Sequence, residues 1–248
     1  MRRLRLALTC VLALCAATAP AIAGTITLTG AVGPRAGSVT LTDSGPDLII
    51  RLSNVGQDVL QPDQVMTGYF FSLAGNPVLT PVSATLAPGS TVLFGGSDPG
   101  GVVGGEWVYQ EGIVAPLGAN RGIASAGYGL FGSAGLFPGS NLAGPIAPNG
   151  LQYGLVSAVD NPATGNTPVT GGTPLIRSAV TFVLTGLPSG FDISVPGAIS
   201  NGSFQYGTSL TEPNVPDPPP VGVPQPASIL LLAAGLMAAW LGSRNRPA

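Results

Sequence analysis

Residues 25–54 read TITLTGAVGPRAGSVTLTDSGPDLIIRLSN, and apolar and polar side chains alternate through much of this stretch. In TITLT, Ile26 and Leu28 share one face and threonines occupy the other. SVTLT repeats the pattern with Val39 and Leu41, and the turn residues DSGPD separate it from LIIRLSN. Because a period of two places alternate side chains on opposite faces of a strand, this stretch predicts a β-hairpin with one buried face.

Similar short runs of strand-forming residues recur along the chain at intervals of roughly ten residues. They are MTGYFFSL (66–73), PVSATL (81–86), STVLF (90–94), EWVYQEG (106–112), LQYGLVSAV (151–159), IRSAVTFVL (176–184) and SFQYG (203–207). The Ala-Pro-Gly between PVSATL and STVLF predicts a second hairpin. Glycine and proline dominate residues 95–150, which predicts long loops along one edge of the fold.

This organisation predicts an all-β fold over residues 24–213, an antiparallel β-sandwich with long Gly/Pro-rich loops. A β-barrel is the alternative arrangement of the same strands. An outer-membrane barrel is disfavoured, because the strands are too short and irregular to form a lipid-facing band.

The N-terminal residues MRRLRLALTCVLALCAATAPAIAG have the order of a secretory leader, with arginines first, an apolar helix next and small residues last. Ala21 and Ala23 form the small-x-small pattern, so we expect a signal peptide over 1–23, cut before Gly24. Both cysteines of the chain, Cys10 and Cys15, lie in this leader. The exported chain is therefore expected to contain no disulfide and no thiol nucleophile.

The C-terminus has a proline-rich linker over 214–226, an uncharged apolar run over 227–243 and a short basic tail over 244–248. We expect the run to be a single transmembrane helix. From residue 227 to 242 it would measure roughly 24 Å against a hydrocarbon core of about 30 Å, so it is a marginal span. Arg244 and Arg246 follow it as a membrane stop and favour a cytoplasmic location for that end.

These C-terminal residues resemble the PEP-CTERM sorting signal of exosortase-dependent bacterial surface proteins, which reads Val-Pro-Glu-Pro-Ala before a short apolar helix and arginines. Four residues match that motif, and Gln225 stands where glutamate is usual. The matching residues are Val223, Pro224, Pro226 and Ala227. The strand and aromatic pattern from DLIIRLSN to SFQYGTSLTEP is also similar to one subgroup of these surface proteins.

The resemblance implies a route for the protein and carries no active-site residues. Signal peptidase and an exosortase would be the processing partners. The inner membrane would hold the C-terminal helix transiently, and the exosortase would cut near Pro-Gln-Pro to deliver the protein to the cell surface or medium. An extended proline tract would keep the cut site clear of the folded body.

The residue composition excludes most catalytic chemistry. The chain has no histidine and no lysine, so neither a Ser–His–Asp triad nor a Ser–Lys or Schiff-base mechanism is possible. Zinc and copper sites normally need histidine or cysteine. The body is mildly acidic, with four arginines and ten carboxylates over 24–216, which argues against nucleic acid as a partner. We expect no enzyme and no cofactor.

A few residues are nevertheless candidates for a site. Trp107 and Tyr109, flanked by Glu106 and Glu111, are possible glycan contacts. The two glutamates differ by an odd number, so one continuous strand would point them to opposite faces and disfavour paired acid catalysis. Calcium at two aspartate pairs is a further possibility, although turn capping fits those residues better. The pairs are Asp43 with Asp47 and Asp58 with Asp63.

The sequence thus predicts an exported, exosortase-sorted surface protein with a structural or adhesive role in a biofilm or extracellular polysaccharide matrix. One alternative is a carbohydrate-binding β-sandwich module, which requires exposed aromatic side chains. Core packing is the stronger expectation for the four candidate aromatics beyond Trp107 and Tyr109, which are Tyr128, Phe131, Tyr153 and Tyr206. The other alternative is a periplasmic protein that stays anchored in the inner membrane.

Overall fold

The computed structural model describes residues 23–95, 100–139, 142 and 148–218, and these residues form an all-β fold. Among them there is no α-helix, only two 3₁₀ turns, at Pro62–Gln64 and Pro116–Gly118. Within these ranges no helical segment has the length and apolar content to cross a bilayer. The signal peptide predicted over 1–23 lies outside the described residues except for Ala23, and the span predicted over 227–243 lies wholly outside them.

Thirteen strands make up two sheets. In chain order they are β1 Thr25–Val32, β2 Arg35–Ser44, β3 Asp47–Asn54, β4 Met66–Leu73, β5 Thr80–Leu86, β6 Thr91–Leu93, β7 Val108–Glu111, β8 Arg121–Ala124, β9 Leu155–Val156, β10 Leu175–Arg177, β11 Ala179–Thr185, β12 Ile199–Tyr206 and β13 Asn214–Pro216.

Sheet A has five strands in the order β1-β2-β3-β11-β5, and every neighbouring pair is antiparallel. Sheet B has the order β13-β12-β4-β9-β10-β6, with β8 paired to β4 and β7 paired to β8. Because β9 and β10 run parallel, sheet B is mixed. The expectation of a wholly antiparallel fold is therefore wrong at this one pair.

Two similar turns connect the first three strands. Gly33–Pro34 joins β1 to β2, and Gly45–Pro46 joins β2 to β3, so each hairpin has a two-residue loop. The glycine at the first loop position has φ of 60° in one turn and 62° in the other. Glycine adopts positive φ without a Cβ penalty, and such turns match the twist of the flanking strands. The hairpin predicted around DSGPD is confirmed.

Side chains from both sheets form one hydrophobic core. Sheet A contributes the buried members of its alternating strands, and sheet B contributes large aromatics. At one point the backbone of β2 lies directly against a ring of sheet B, because a Cβ on Gly37 would stand 2.4 Å from Cγ of Phe204. This close approach fixes the spacing between the two sheets at that level.

The hairpin predicted between PVSATL and STVLF does not form. β5 pairs with β11 in sheet A, whereas β6 pairs with β10 in sheet B. The Ala-Pro-Gly connection therefore carries the chain from one sheet to the other. The physical reason is that β11 offers β5 a partner whose alternate residues are buried in the shared core, which a hairpin with three-residue β6 would not provide.

The Gly/Pro-rich segment over 95–150 supplies strands and core residues as well as loops. β7 and β8 both lie in it, and β8 was not predicted. Trp107 and Phe137 pack on Phe182 of sheet A, with ring centroids 5.0 Å and 5.2 Å apart. The strand predicted at EWVYQEG is confirmed as β7, whereas the prediction of long loops over the rest of the segment misses β8 and the core residue Phe137.

The folded body extends beyond the boundary predicted at residue 213. β13 pairs with β12, and the amide of Asp217 donates to the carbonyl of Gly202 at 3.0 Å. The Asp217 carboxylate is buried and accepts a hydrogen bond from Tyr69 Oη at 2.6 Å. Burial raises the pKa of Asp217, and the bond from Tyr69 opposes that shift. Residues 214–217 thus belong to the sheet and not to the linker.

Candidate functional site

The predicted processing residues fall at the limits of the described chain. Ala21, the sorting motif Val223 to Ala227 and the membrane-stop residues Arg244 and Arg246 lie outside it. Ala23 is exposed, and Gly24 already takes part in the sheet, because the amide of Asp43 donates to its carbonyl at 3.1 Å. The described hydrogen-bonded fold therefore begins at Gly24, the first residue after the predicted leader.

Trp107 and Tyr109 are both buried, so neither offers a face to a sugar ring. Trp107 lies in the core against Phe182, and Tyr109 donates its hydroxyl to Glu111 at 3.1 Å. The possible glycan contact at these two residues is not supported by their positions. Their aromatic size alone allowed either location, and the packing between the sheets decides it.

Glu106 and Glu111 differ in surroundings. Glu106 precedes β7 and is fully buried, whereas Glu111 ends β7 and is partly exposed. The prediction that Glu106 and Glu111 face opposite sides required both to lie in one continuous strand. Only Glu111 lies in β7, so the prediction does not apply to this pair. The carboxylate of Glu111 lies 3.8 Å from the guanidinium of Arg121, which is completely buried in β8. Glu111 is therefore a structural partner of Arg121.

The aspartates considered for calcium are engaged by protein donors. Asp43 accepts from the amides of Gly24 and Ile193, and Asp58 accepts from the amide of Asn161 and the hydroxyl of Thr164. The bond from Thr164, and next the one from Asn161, lowers the pKa of Asp58. Asp63 forms an ion pair with Arg35 at 2.5 Å. Within the described ranges no three carboxylates, histidines or cysteines gather as a metal site.

The other aromatic candidates are mostly interior. Phe131, Tyr153 and Tyr206 are buried, which confirms the expectation of core packing for these three. Tyr128 is partly exposed, and its hydroxyl bonds that of Thr67. Among the aromatic side chains that the structure describes, Phe94 is the one that is well exposed, at 41%. A stacking platform of several rings is thus absent from these residues.

The outer surface of sheet A carries an array of hydroxyl side chains, with the partly exposed Ile49 and Val183 among them. We call it the hydroxyl face, and it consists of Thr25, Thr27, Thr29, Ser38, Thr40, Thr42, Thr80, Ser83, Thr85, Thr181 and Thr185. All of these side chains are exposed or partly exposed. Their alternation with core residues along each strand is what places them together.

Register aligns the hydroxyl face into rows that run across the strands. Thr27, Thr40, Arg51, Thr181 and Thr85 are successive partners across all five strands. At about 4.8 Å between strands, this row spans roughly 19 Å. The hydroxyls of neighbouring threonines bond each other at 3.0 Å within this row and at 2.9 Å between Thr25 and Thr42.

Few charges interrupt the hydroxyl face. Arg51 lies at its centre and is exposed, and its guanidinium makes no hydrogen bond or ion pair with any residue that the structure describes. Asp47 lies at one end of the same strand face. Among the described residues sheet B has no comparable open surface, because two further hydrophobic clusters, around Val65 and around Phe70, pack on its outer side. The hydroxyl face is therefore the open sheet surface of the described body.

The sequence contains part of this site. The threonine alternation in β1 and β2 is visible in TITLT and SVTLT, but the contribution of β5 and β11 depends on strand order, which the sequence pattern does not give.

Comparison of the chain with protein-family models, with curated proteins and with solved structures found no match.

Proposed function

We propose that this chain is an exported bacterial surface protein of the PEP-CTERM type, with a β-sandwich body and a structural or adhesive role in an extracellular polysaccharide matrix. The observation that carries the role is the hydroxyl face, an open and nearly uncharged sheet surface of aligned threonines and serines. Two features of the sequence support the proposed export and sorting. The leader has basic, then apolar, then small residues, and Val-Pro-Gln-Pro-Ala precedes the C-terminal apolar run and its arginines.

Hydroxyl rows suit a neutral polysaccharide for a simple chemical reason. Each hydroxyl both donates and accepts hydrogen bonds, as each sugar hydroxyl does, so many pairings of similar energy are available. A net hydrogen bond contributes only about 0.5–1.5 kcal/mol, so one contact is weak. Several contacts along one polymer add through avidity, which is the regime expected for a matrix component.

Processing at both ends is the first test of this proposal. We expect intact-mass analysis of protein released from the cell surface to give a chain that begins at Gly24 and lacks Trp240 and Arg246. Replacing Pro224 and Pro226 by alanine should shift most of the protein to the membrane fraction, with the tail retained. Surface molecules that still contain Trp240 and Arg246 would contradict sorting and favour the permanently anchored alternative.

The hydroxyl face can be tested by removing hydroxyls without changing side-chain shape. We expect the triple variant Thr27→Val, Thr40→Val and Thr181→Val to co-sediment about tenfold less with matrix polysaccharide, since three weak hydrogen bonds are lost. Stability should change by less than about 0.5 kcal/mol, because valine is a good strand former and the sites are at the surface.

A matched control removes three exposed hydroxyls that lie elsewhere. The variant Thr91→Val, Thr167→Val and Thr211→Val changes composition in the same way but leaves the hydroxyl face intact. It should co-sediment like the unaltered chain. Equal behaviour of the two triple variants, whether both bind or both fail, would disprove a specific role of the hydroxyl face.

A further inference from the structure

The backbone nitrogen of Gly24 points at a carboxylate. Its N–H donates to Asp43 Oδ1 at 2.7 Å, a bond that links the start of β1 to the end of β2. The carbonyl of Gly24 accepts from the amide of Asp43 at 3.1 Å, so the two residues exchange hydrogen bonds. Both backbone groups of Gly24 are thus fixed in the sheet.

Asp43 is held in place before it meets Gly24. The residue is only 6% exposed, and its second oxygen, Oδ2, accepts from the amide of Ile193 at 2.7 Å. That bond connects β2 to the loop that follows β11. The carboxylate is therefore preorganised, and its Oδ1 is directed at the nitrogen of residue 24.

A second carboxylate, that of Asp192, also lies close to Gly24. A Cβ on Gly24 would lie 2.8 Å from Asp43 Oδ2 and 2.8 Å from Asp192 Oδ1, so no larger residue fits here without movement. Hydrogen bonds from the Ser194 hydroxyl, and next from its amide, lower the pKa of Asp192 and keep it ionised. The cavity beside Gly24, about 480 Å³, is lined by Asp43 and by uncharged residues such as Ser44 and Phe191.

Two carboxylates are more than an amide N–H requires. An amide carries no net charge, whereas an α-ammonium at the same atom carries a full positive charge and three donors. Hydrogen bonds to charged groups are roughly twice as strong as those between neutral groups. The site is thus better matched to a free N-terminus at Gly24 than to an internal peptide bond.

We propose that Asp43 and Asp192 form a binding site for the α-ammonium of Gly24, so that removal of the leader stabilises the folded body. This inference rests on the processing site given under the proposed function. Cleavage between Ala23 and Gly24 would create the ammonium at the place where the carboxylates already stand. Ala23 is exposed, so the peptide bond between Ala23 and Gly24 lies at the surface.

The pH dependence has a definite sign. The titratable groups that face Gly24 are Asp43 from β2 and Asp192 from the loop after β11, and both are acids. An ammonium paired with carboxylates holds its proton to a higher pH than it does in the unfolded chain, where it titrates at about 7.7–8.0. The added stability is therefore complete below pH 7 and is lost as the pH rises toward 10.

The test compares chains that differ only at the N-terminus. The chain from Gly24 to Ala248 and the chain from Ala21 to Ala248 are released from a fusion partner without extra residues and melted in mild detergent. Both have a free amine, but only the first places it at residue 24. We expect the Gly24 chain to melt about 4 °C higher at pH 6, with the difference gone by about pH 10.

Two substitutions locate the effect. Asp43→Asn should reduce the difference between the two chains to below about 1 °C, because the amide side chain has no charge to offer. Asp47→Asn, at the first residue of β3, should leave the difference unchanged. Since each comparison is made within one variant, a general loss of stability in Asp43→Asn does not affect the result.

The outcomes separate this inference from the processing proposal. Equal melting of the two chains at pH 6, or a difference that survives Asp43→Asn, would overturn the ammonium site whatever the leader does. N-terminal sequencing of the exported protein tests the other part. A start at any residue other than Gly24 would contradict the proposed cleavage and remove the event that creates the ammonium.

Discussion

Replacing Arg121 by methionine is expected to lower the free energy of unfolding by about 3 kcal/mol. The residue lies in β8 and its side chain is completely buried. Methionine fills similar volume without charge, so the loss reflects polar partners left without a donor. Breaking a buried ion pair from one side is normally more costly than replacing both partners.

The partners of Arg121 explain the size of the effect. Its Nη1 donates to the carbonyl of Pro77 at 2.9 Å and to Tyr109 Oη at 3.1 Å, and Nη2 donates to Asn76 Oδ1. The guanidinium also lies 3.8 Å from the carboxylate of Glu111. These groups join β7, β8 and the loop before β5. Glu111 is partly exposed, which limits the contribution of the ion pair itself.

The loss of stability in Arg121→Met is measured by urea unfolding, with Arg51→Met as the matched control. Arg51→Met removes the same side chain from the exposed centre of the hydroxyl face, where the described residues give it no partner, and should change stability by less than about 0.5 kcal/mol. If Arg121→Met were as mild as Arg51→Met, the buried network would have no structural role.

Gly37→Val should lower stability by about 3 kcal/mol, at the upper end of the usual cost of overpacking. A Cβ at this residue would lie 2.4, 2.5 and 2.7 Å from three ring carbons of Phe204, which is itself fully buried. Neither group can move away easily, since Gly37 is paired with Gly30 of β1 and Asn54 of β3, and Phe204 is in β12. The substitution would force the two sheets apart.

Thermal or urea unfolding of Gly37→Val is best compared with Gly132→Ala, where an added Cβ meets nothing within 4 Å. The control should be close to neutral. A second measurement identifies the clash, because Gly37→Ala combined with Phe204→Leu should be more stable than the sum of the two single losses predicts. Strict additivity would show that the ring is not what opposes the new side chain.

Period-two alternation predicted most of sheet A. β1, β2 and β3 have one buried face and one solvated face, and this is the condition under which alternation is visible in a sequence. β8 failed this condition, because all four of its residues are buried and RGIA carries no alternation. β13 has three residues, too few for any pattern, and it was therefore assigned to the linker.

The candidate site was predictable only in part, for a related reason. Threonines along one strand can be read from the sequence, but the rows of the hydroxyl face depend on which strands become neighbours. β3 pairs with β11 across more than a hundred residues of chain, and nothing local specifies that pairing. The site at Gly24 depends in the same way on Asp43 and Asp192, which meet only in the folded protein.

The attachment of β13 has a mechanical consequence. A pull on the chain beyond Pro218 reaches the body at Asp217 and at three residues paired to β12, before it reaches any long strand. These contacts would yield first and release about 14 Å of chain, at roughly 3.4 Å per residue for residues 214–217, while the other strands stay paired. Such a short strand would detach under a sudden load, lengthen the chain, and pair with β12 again when the tension falls.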